Sequence, residues 1–523
     1  MENRVAIIGA GVSGLVACKY SLEKGFRPLV FEAEEVIGGI WTRTIDSTRL
    51  QNSKNDFKFA DYPWPPSTTD KFPTHYQEYI ESYAKHFGLY PYIKFNSKVI
   101  SLDYVGVSHE EMESWDLWGE TGKPFGSSGK WHINVQDTKN CTIELHQAEF
   151  VILCIGKFSG LANFPDFSPG KGPEVFNGKV MHAMEYAAMD KSDAAQLITN
   201  KKVTVVGSFK SAIDTAVECA NANGVEKPCT MVQRSAHWLI PKEFQIIGNI
   251  IKYGFFTRFA TLLEHKPGES FLLCLLATLL SPLRWLIGKF AELYIIWKLP
   301  MKKYGMIPKI SFEECATACQ NAMLPDKFYD KVEEGSIILM KPQPHSFSFS
   351  AEGLILDGKT PVESDIVIFA TGYKGNEKIK HIFVSPFFQE RMTGASKARN
   401  PLYRGIIHPR VPQLGIIGFQ HAISNLFASE MRCQWLANFL GGNIDLPNIK
   451  EMEKNVESWN NYFLKTGKRF GGSCISTLHV WYCDQLCRDI GCSPKRKKGF
   501  FANLFQPHAA SDYAGLTPKV KRS

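Results

Sequence analysis

The chain has 523 residues, of which 44% are hydrophobic and 21% charged, a globular composition that excludes a disordered or fibrous protein. This length exceeds what one core usually organises, so we expect two or three domains. The net charge of +8 gathers near the C-terminus, where we expect a solvated tail and no nucleic-acid partner, with contact to an anionic membrane left open. The basic tail residues are Lys495, Arg496, Lys497, Lys498, Lys519, Lys521 and Arg522.

The N-terminal residues predict a βαβ unit. Val5–Ile8 is a continuous apolar strand, a helix follows over about Ser13–Lys24, and Pro28–Glu32 is the second strand. The turn between the first strand and the helix has glycine at its first, third and sixth positions and consists of Gly9, Ala10, Gly11, Val12, Ser13 and Gly14. These glycines permit a tight turn, a close approach of backbone to a diphosphate, and close packing of helix on strand. The unit therefore predicts a dinucleotide site.

Two further features bear on which dinucleotide this unit binds. Glu32 ends the second strand, where a carboxylate can accept a hydrogen bond from a ribose hydroxyl. Gly38 and Gly39 follow, then Trp41, and paired glycines suit a backbone that lies against a bulky flat cofactor. We therefore favour FAD over NAD here, with Glu32, Gly39 and Trp41 among its contacts.

The next part of the chain is irregular before it returns to strands. Residues 43–74 are rich in turn formers and aromatics, which is typical of a loop that covers a site. Val99–Tyr104, Trp131–Gln136 and Phe150–Cys154 are predicted strands.

A second strand–glycine–helix unit begins at Val203–Val206, and its helix is predicted over Ala212–Ala220. Its turn is less regular than the first and consists of Gly207, Ser208, Phe209, Lys210, Ser211 and Ala212. Arg234 ends the following strand, where NAD-binding proteins place an acid. A cation there is suited to the 2′-phosphate of NADPH, and a surface salt bridge is the alternative.

Residues 244–324 form an aliphatic insertion that we expect to be helical. Its most apolar stretch, Phe271–Leu283, predicts a buried helix, with a helix lying on a membrane as the alternative. The thirteen cysteines include no C-x-x-C pair, which favours a reducing, cytoplasmic compartment over a disulfide framework and also excludes a redox pair of the disulfide-reductase type. The histidine and cysteine spacings do not match zinc sites, so we expect no metal.

Phe176, Gly178, His182 and Tyr186 stand at the spacing F-x-G-x-x-x-H-x-x-x-Y between the two glycine turns. This resembles the fingerprint of the flavin-containing monooxygenase family, although that family usually follows the tyrosine with Lys or Arg and this chain has Ala187. The run Phe369–Tyr373 is similar to the family's F/L-A-T-G-Y motif, which implies that Thr371 and Gly372 lie near the cofactors. The resemblance spans about residues 4–440.

The segment Leu50–Pro65 resembles a family loop in which an asparagine supports the oxygenated flavin. The alignment puts that position at Gln51, with Asn52 beside it, so either amide is a candidate catalytic residue. The variant turn at Gly207 and the run Gln233–Trp238 most resemble the plant branch, in particular its pipecolate N-hydroxylating enzymes of systemic immunity.

The resemblance implies an α/β fold of two Rossmann-like, dinucleotide-binding domains, with the NADPH domain inserted in the FAD domain. We expect FAD domain segments at 1–170 and 341–450, an NADPH domain with helical insertion at 171–340, and a C-terminal helical segment at 451–523. The implied reaction begins when NADPH reduces FAD. The reduced flavin then forms a C4a-hydroperoxyflavin with O₂, and this species oxygenates a soft nucleophile.

N-hydroxylation of an amine or cyclic amino acid is the favoured reaction. S-oxygenation of a thioether or oxidation of an indole-pyruvate-type acid is the alternative, and a flavoprotein-like scaffold without catalysis is the non-enzyme alternative. We expect a small-molecule substrate and O₂ as partners, and a cytoplasmic location with peripheral contact to the endoplasmic reticulum membrane left open.

Overall fold

The computed structural model describes residues 4–74, 76–241, 244–342, 346–393, 400–466 and 473–518. The strands are β1 (Val5–Ile8), β2 (Leu29–Phe31), β3 (Ile93–Lys94), β4 (Ser97–Val105), β5 (Lys130–Asp137), β6 (Ile143–Ala148), β7 (Phe150–Leu153), β8 (Lys179–His182), β9 (Val203–Val206), β10 (Cys229–Val232), β11 (Leu239–Pro241), β12 (Ala322–Leu324), β13 (Ile337–Met340), β14 (Phe347–Ser350), β15 (Gly353–Leu356), β16 (Thr360–Glu363), β17 (Ile366–Phe369) and β18 (Leu414–Ile416).

The α-helices are α1 (Val12–Glu23), α2 (Tyr76–His86), α3 (His109–Ser114), α4 (Ala183–Ala187), α5 (Lys191–Ile198), α6 (Lys210–Asn223), α7 (Gln245–Phe255), α8 (Arg258–Leu262), α9 (Phe271–Lys298), α10 (Phe312–Thr317), α11 (Phe328–Glu334), α12 (Gly375–Ile382), α13 (Pro386–Thr393), α14 (Asn425–Leu440), α15 (Ile449–Thr466), α16 (His479–Asp489) and α17 (Phe500–Phe505).

The first sheet is parallel, with strand order β18-β7-β1-β2-β3. β1 and β7 pair from Val5 opposite Phe150 to Ile8 opposite Leu153, and every residue of both strands is buried. Strands covered on both faces are apolar throughout, which is why this part of the sequence shows no alternation. Helices α1 and α14 pack against each other over the sheet, and every described residue of α14 after Asn425 is buried.

The second sheet is also parallel, with order β13-β10-β9-β17-β8. All of its strands come between β7 and β18 in the chain, so the second domain is inserted in the first and the predicted fold class is confirmed. One predicted boundary needs correction. β17 (Ile366–Phe369) pairs with β9 and β8, so the second sheet continues well beyond the boundary that we placed at 340.

The insertion at 244–324 is helical over most of its length but ends in β12, which pairs with β11 in a two-stranded parallel sheet. The expectation of a buried apolar helix is wrong. α9 is longer than the apolar run suggested, and only 11% of its most apolar window is buried inside the protein. Among the described residues it is the one helix with the length and composition to cross a bilayer. Apolar composition is the same for a buried helix and an exposed one, so the sequence did not separate them.

Two expectations about the C-terminal part are corrected. The basic segment is folded as far as residue 518, since Lys497 pairs with Asp512 at 2.9 Å and Tyr513 is fully buried, although Lys495, Arg496 and Lys498 are exposed as expected. Lys519, Lys521 and Arg522 lie outside the described residues. Cys319 and Cys474 form a disulfide with 6.0 Å between their Cα atoms, although the cysteine pattern led us to expect free thiols. This pairing joins the helical insertion to the segment before α16.

Candidate active site

The first glycine turn closes so tightly that two positions admit no side chain. A Cβ on Gly14 would lie 1.8 Å from the carbonyl oxygen of Gly9, and a Cβ on Gly9 would lie 2.8 Å from that of Cys154. Gly9 also has a φ of 98°, a conformation that favours glycine. α1 begins at Val12 without a side-chain cap, so its first N–H groups can bind a phosphate beyond the carboxyl end of β1. We call this turn the first cradle, and its shape fits a dinucleotide diphosphate.

The paired glycines predicted to face a flat cofactor lie directly against this turn. The Gly38 N–H donates to the carbonyl oxygen of Ala10 at 3.0 Å, and a Cβ on Gly39 would lie 3.1 Å from the Cα of Gly11. Trp41 follows in a short 3₁₀ helix, and its ring centroid is 4.4 Å from that of Tyr76. Gly11, Gly39 and Trp41 are thus brought together at the carboxyl edge of the first sheet.

Glu32 lies buried just after β2, and its carboxylate already has backbone partners. It accepts hydrogen bonds from the Ala10 N–H at 2.5 Å and from the Glu34 N–H at 3.0 Å. Burial raises the pKa of Glu32 and these backbone bonds oppose the rise. Each carboxylate oxygen has two lone pairs, so a ribose hydroxyl can still be bound here.

The second cradle forms in the same way at the carboxyl end of β9. A Cβ on Gly207 would lie 2.6 Å from the carbonyl oxygen of Ala370 and 3.0 Å from the Cβ of Ala212. Phe209, where the first cradle has Gly11, is the N-cap residue of α6, and its ring centroid is 5.0 Å from that of His237. The turn therefore also excludes a Cβ at its first position, while it accommodates the Cβ of Ala212 and has an aromatic side chain at its rim. Ser208 precedes that residue, and Ser211 is exposed in the first turn of α6.

The two predicted cations of the second cradle have different surroundings. Lys210 donates to Asp214 at 2.6 Å, one helical turn further along α6, so its charge is partly neutralised. Burial raises the pKa of Asp214 to about 6, against the opposing effect of Lys210. Arg234 lies just past the end of β10, is exposed, and forms no ion pair with any described residue. A free guanidinium at this edge is suited to a phosphate.

The fingerprint tyrosine helps to connect the two domains. The Tyr186 hydroxyl donates to Oε1 of Glu218 at 2.9 Å, and the hydroxyl of Ser47 donates to Oε2 of the same carboxylate at 3.2 Å. Glu218 belongs to α6 and Ser47 to the irregular N-terminal loop. His182 has a structural place, since its Nδ1 accepts from the Met184 N–H at 3.1 Å in the capping box of α4.

Thr371 and Gly372 lie where the chain crosses between the sheets. Asn163, on the other crossing segment, donates through its side chain to the Thr371 carbonyl oxygen at 3.1 Å and through its N–H to that of Gly372 at 3.0 Å. The Thr371 hydroxyl donates in turn to the Asn163 carbonyl oxygen. The two crossing segments are therefore hydrogen-bonded to each other, and the Thr371 hydroxyl is engaged by protein.

The structure separates the two candidate amides. The Asn52 side chain, half-buried, donates to the carbonyl oxygen of Ile423 at 3.3 Å, just before the start of α14. Gln51 is exposed, and its Oε1 accepts from the Met323 N–H of β12 at 3.3 Å. Asn52 therefore faces the first domain, whereas Gln51 faces the insertion.

Sequence reasoning missed two lysines beside the first cradle. The Lys378 Nζ donates to the carbonyl oxygen of Ile155 at 2.6 Å and to the Ser159 hydroxyl at 3.0 Å. Ile155 directly follows Cys154, whose carbonyl oxygen faces Gly9. The Lys157 Nζ lies 4.8 Å from the centroid of the Phe419 ring. Burial lowers the pKa of each lysine to about 8. Lys157 follows a glycine at a strand end and could have been suspected, whereas nothing in the sequence around Lys378 distinguishes it.

A buried carboxyl fixes the loop that follows Asn52. Glu430 of α14 accepts from the Tyr20 hydroxyl at 3.0 Å and from the Ala60 N–H at 2.8 Å, and Lys19 pairs with Asp61 beside it. Burial raises the pKa of Glu430 to about 7, while the Ala60 N–H and Lys19 lower it. This cluster holds the 57–61 loop against α1 and α14.

Two cradles that face the carboxyl ends of two parallel sheets define a two-dinucleotide flavoprotein. The chain belongs to the flavin-binding monooxygenase-like family, whose model matches residues 2–512. It is 39% identical to "Probable flavin-containing monooxygenase 1" of Arabidopsis thaliana, over 98% of this chain and 96% of that protein. It is 26% identical to flavin-containing monooxygenase 3 of Canis lupus familiaris, over 94% of this chain and 84% of that protein.

Among solved structures, the OTEMO complex with FAD and NADP shares the fold, with a TM-score of 0.63 and 16% identity over 93% of this chain and 98% of that one. The family assignment confirms the predicted class of enzyme, an oxidoreductase of the flavin-containing monooxygenase type. FAD and NADPH are the cofactors of that class.

Proposed function

We propose that this chain binds FAD in the first cradle and NADPH in the second, and that it N-hydroxylates an amine or a cyclic amino acid such as pipecolate. One observation carries the assignment of the cradles: each turn excludes a Cβ at its base and opens at the carboxyl end of a parallel sheet. FAD, when bound, supplies the redox centre that reacts with dioxygen. The protein must bind, orient and protect that centre.

The first cradle suits FAD because its glycine turn, Gly39 and Trp41 together present backbone and an aromatic ring at one edge. Gly9 and Gly14 let α1 approach the diphosphate, and Glu32 holds a ribose hydroxyl. Lys378 and Lys157 add positive charge close to the same edge, where a diphosphate would offset the cost of their burial.

The second cradle suits NADPH because Arg234 is exposed beyond β10 and has no ion pair among the described residues. Its guanidinium binds the 2′-phosphate, the group that distinguishes NADPH from NADH. Lys210 is less suited to this role because Asp214 already neutralises part of its charge.

Asn52 is the better candidate of the two amides for the reaction centre. It is half-buried and held at the start of α14, whereas Gln51 is exposed and turned toward the insertion. Its side chain would orient the reacting oxygen by a hydrogen bond and help to exclude water.

The substrate class rests on the resemblance of the second turn and of the run Gln233–Trp238 to the plant branch, and the similarity to the Arabidopsis relative supports that branch alone. Purified, flavin-loaded protein should consume NADPH and O₂ together when offered pipecolate, and mass spectrometry should find one oxygen added on nitrogen. Thioethers and indole-pyruvate-type acids tested in parallel would reveal the alternative reactions. NADPH oxidation that yields only hydrogen peroxide with all three classes would contradict the proposal.

A further inference from the structure

The disulfide between Cys319 and Cys474 joins two parts of the chain that meet near the candidate amides. Cys319 lies in the insertion, just after α10, and Cys474 lies 155 residues later, before α16. Ile475, next to Cys474, belongs to the buried core of the first domain. The Ser476 hydroxyl donates to the carbonyl oxygen of Ala316, so the same two segments also touch through a hydrogen bond. The disulfide is therefore a covalent bond between the insertion and the first domain.

The Cys474 end of this bond leads to Asn52. The backbone of His421 pairs with the residues on both sides of Cys474 in a parallel bridge, through hydrogen bonds of 3.2 and 3.0 Å. Two residues after His421, the carbonyl oxygen of Ile423 accepts from the Asn52 side chain. The His421 ring centroid is 4.7 Å from that of Phe158, in the segment that follows β7. Cys474 is thus fixed to the segment that orients the favoured amide.

The Cys319 end leads to Gln51. β12 begins three residues after Cys319, and the Met323 N–H of this strand donates to Oε1 of Gln51 at 3.3 Å. The neighbouring residues Gln51 and Asn52 are therefore held by contacts that lead to opposite ends of one disulfide. Because both amides lie in one loop, the covalent bond fixes the protein on two sides of the proposed reaction centre.

The two cysteines differ in their access to solvent. Cys319 is half-buried, whereas Cys474 is only 5% exposed. Thiol–disulfide exchange begins when a thiolate attacks one of the two sulfurs, so access decides which sulfur reacts first. An external thiol can attack on the Cys319 side, and Cys474 then leaves as the buried thiol. The disulfide is thus open to reduction while the protein is folded.

We propose that Cys319 and Cys474 act as a reversible thiol–disulfide switch that controls how fast hydrogen peroxide escapes from the site. As a disulfide, the pair holds the insertion against the first domain and limits the entry of water. As two thiols, it leaves that contact to hydrogen bonds, which open more easily, and peroxide is released faster. This inference rests on the enzyme class and on the proposed placement of the reaction centre at Asn52, but not on the identity of the substrate.

The atoms and electrons balance in both directions. A dithiol reduces the pair with two electrons and two protons: the S–S bond breaks, two protein thiols form, and the dithiol becomes a disulfide. The oxidant for the return is hydrogen peroxide, which forms with NADP⁺ when NADPH, a proton and O₂ react without a substrate. One protein thiol takes an oxygen from the peroxide and becomes a sulfenic acid, with release of water. The other thiol attacks that sulfur, and a second water leaves as the S–S bond forms.

Alkylation of the purified, flavin-loaded full chain, followed by peptide mass spectrometry, tests the exchange itself. In air-oxidised protein Cys319 and Cys474 should remain unlabelled, and dithiothreitol should make both reactive while flavin content and thermal midpoint are retained. Hydrogen peroxide, added after the dithiol is removed, should protect both again. The proposal fails if the pair is found as free thiols in air, resists dithiothreitol, does not re-form, or unfolds the protein when reduced.

NADPH consumption with no substrate added tests the effect on the site, because each NADPH then ends as peroxide. Reduced wild type should consume NADPH about threefold or more faster than oxidised wild type, since water reaches the site more easily. The double variant Cys319→Ser with Cys474→Ser should show the faster rate with or without dithiothreitol. Cys141→Ser, at an exposed free cysteine, is the matched control and should respond as the wild type does.

Equal rates in oxidised and reduced wild type would overturn the switch, and so would a double variant that consumes NADPH as slowly as the oxidised protein. Neither rate depends on which nucleophile the enzyme oxygenates. A failure of pipecolate as substrate therefore leaves this test unaffected, and the two proposals fail separately.

Discussion

The side-chain amide of Asn52 donates to the carbonyl oxygen of Ile423 at 3.3 Å, which helps to join the irregular N-terminal loop to the start of α14 across 371 residues of sequence. It places a polar side chain at the boundary of the first domain, in a segment also fixed by the bond from the Ser424 hydroxyl to the Asp56 carbonyl oxygen at 3.2 Å. Both contacts are made between groups of the protein, and the first of them fixes the orientation of the amide.

Asn52→Ala should lower the yield of oxygenated product per NADPH by roughly 10-fold to 100-fold, because a positioned hydrogen bond to the reacting group is lost. Hydrogen peroxide should rise correspondingly while flavin content is unchanged. The measurement is product and peroxide released per NADPH consumed. Gln51→Ala is the matched control. An equal loss of product in that variant would contradict the assignment of the role to Asn52 rather than Gln51.

Gly14→Ala should give protein without FAD, because the added Cβ meets the Gly9 carbonyl oxygen at 1.8 Å and must displace α1 from the cradle. The ratio of flavin to protein absorbance after purification measures this. Gly248→Ala in α7 adds the same atom where nothing lies within 4 Å, so it should retain flavin. Full flavin content in Gly14→Ala would show that the first cradle is not where FAD binds.

Arg234→Ala should raise the KM for NADPH by roughly 10-fold to 100-fold, the value of a charge-assisted contact, and leave the KM for NADH nearly unchanged. The comparison of the two nucleotides on one variant is its own control, since misfolding would affect both. If both KM values rose together, Arg234 would have no specific role at the 2′-phosphate.

Glu430 should make stability fall as pH rises. Its folded pKa of about 7 exceeds the ordinary value of 4.5, so the folded state binds more protons between these values. The contribution is fully present below pH 4.5 and is lost as pH rises through about 7. The thermal midpoint of the wild type relative to Glu430→Gln should therefore drop by a few degrees from pH 5 to pH 8. Glu457→Gln, an exposed site on α15, should show no such trend.

The parts that sequence predicted best are those governed by local rules. Val5–Ile8 and Val203–Val206 are strands with the predicted bounds, because a buried apolar run that ends in glycine allows few other structures. The cradles followed from the same rule. The surroundings of the cradles could not be predicted in this way. Lys378 of α12 bonds to Ile155 beside the first cradle, and Cys319 pairs with Cys474 across 155 residues. Both contacts are set by tertiary packing.

Predicted burial failed for a related physical reason. An apolar side chain gains free energy when it leaves water, and it does so in any apolar surroundings, whether protein or lipid. The run in α9 was therefore correctly recognised as helical, while the medium around it could be judged only from which of its residues the fold covers.

The bonds between Asn163 and the 371–372 peptide groups bear on how this molecule can move. The two chain segments that connect the domains are hydrogen-bonded to each other at this point. Separation of the two domains would break these bonds, and a rotation between them would also have to change the contacts of Ser47 with Glu218 and of Gln51 with Met323. We therefore expect the two cradles to keep a nearly constant separation while a nicotinamide and a substrate reach one flavin in turn.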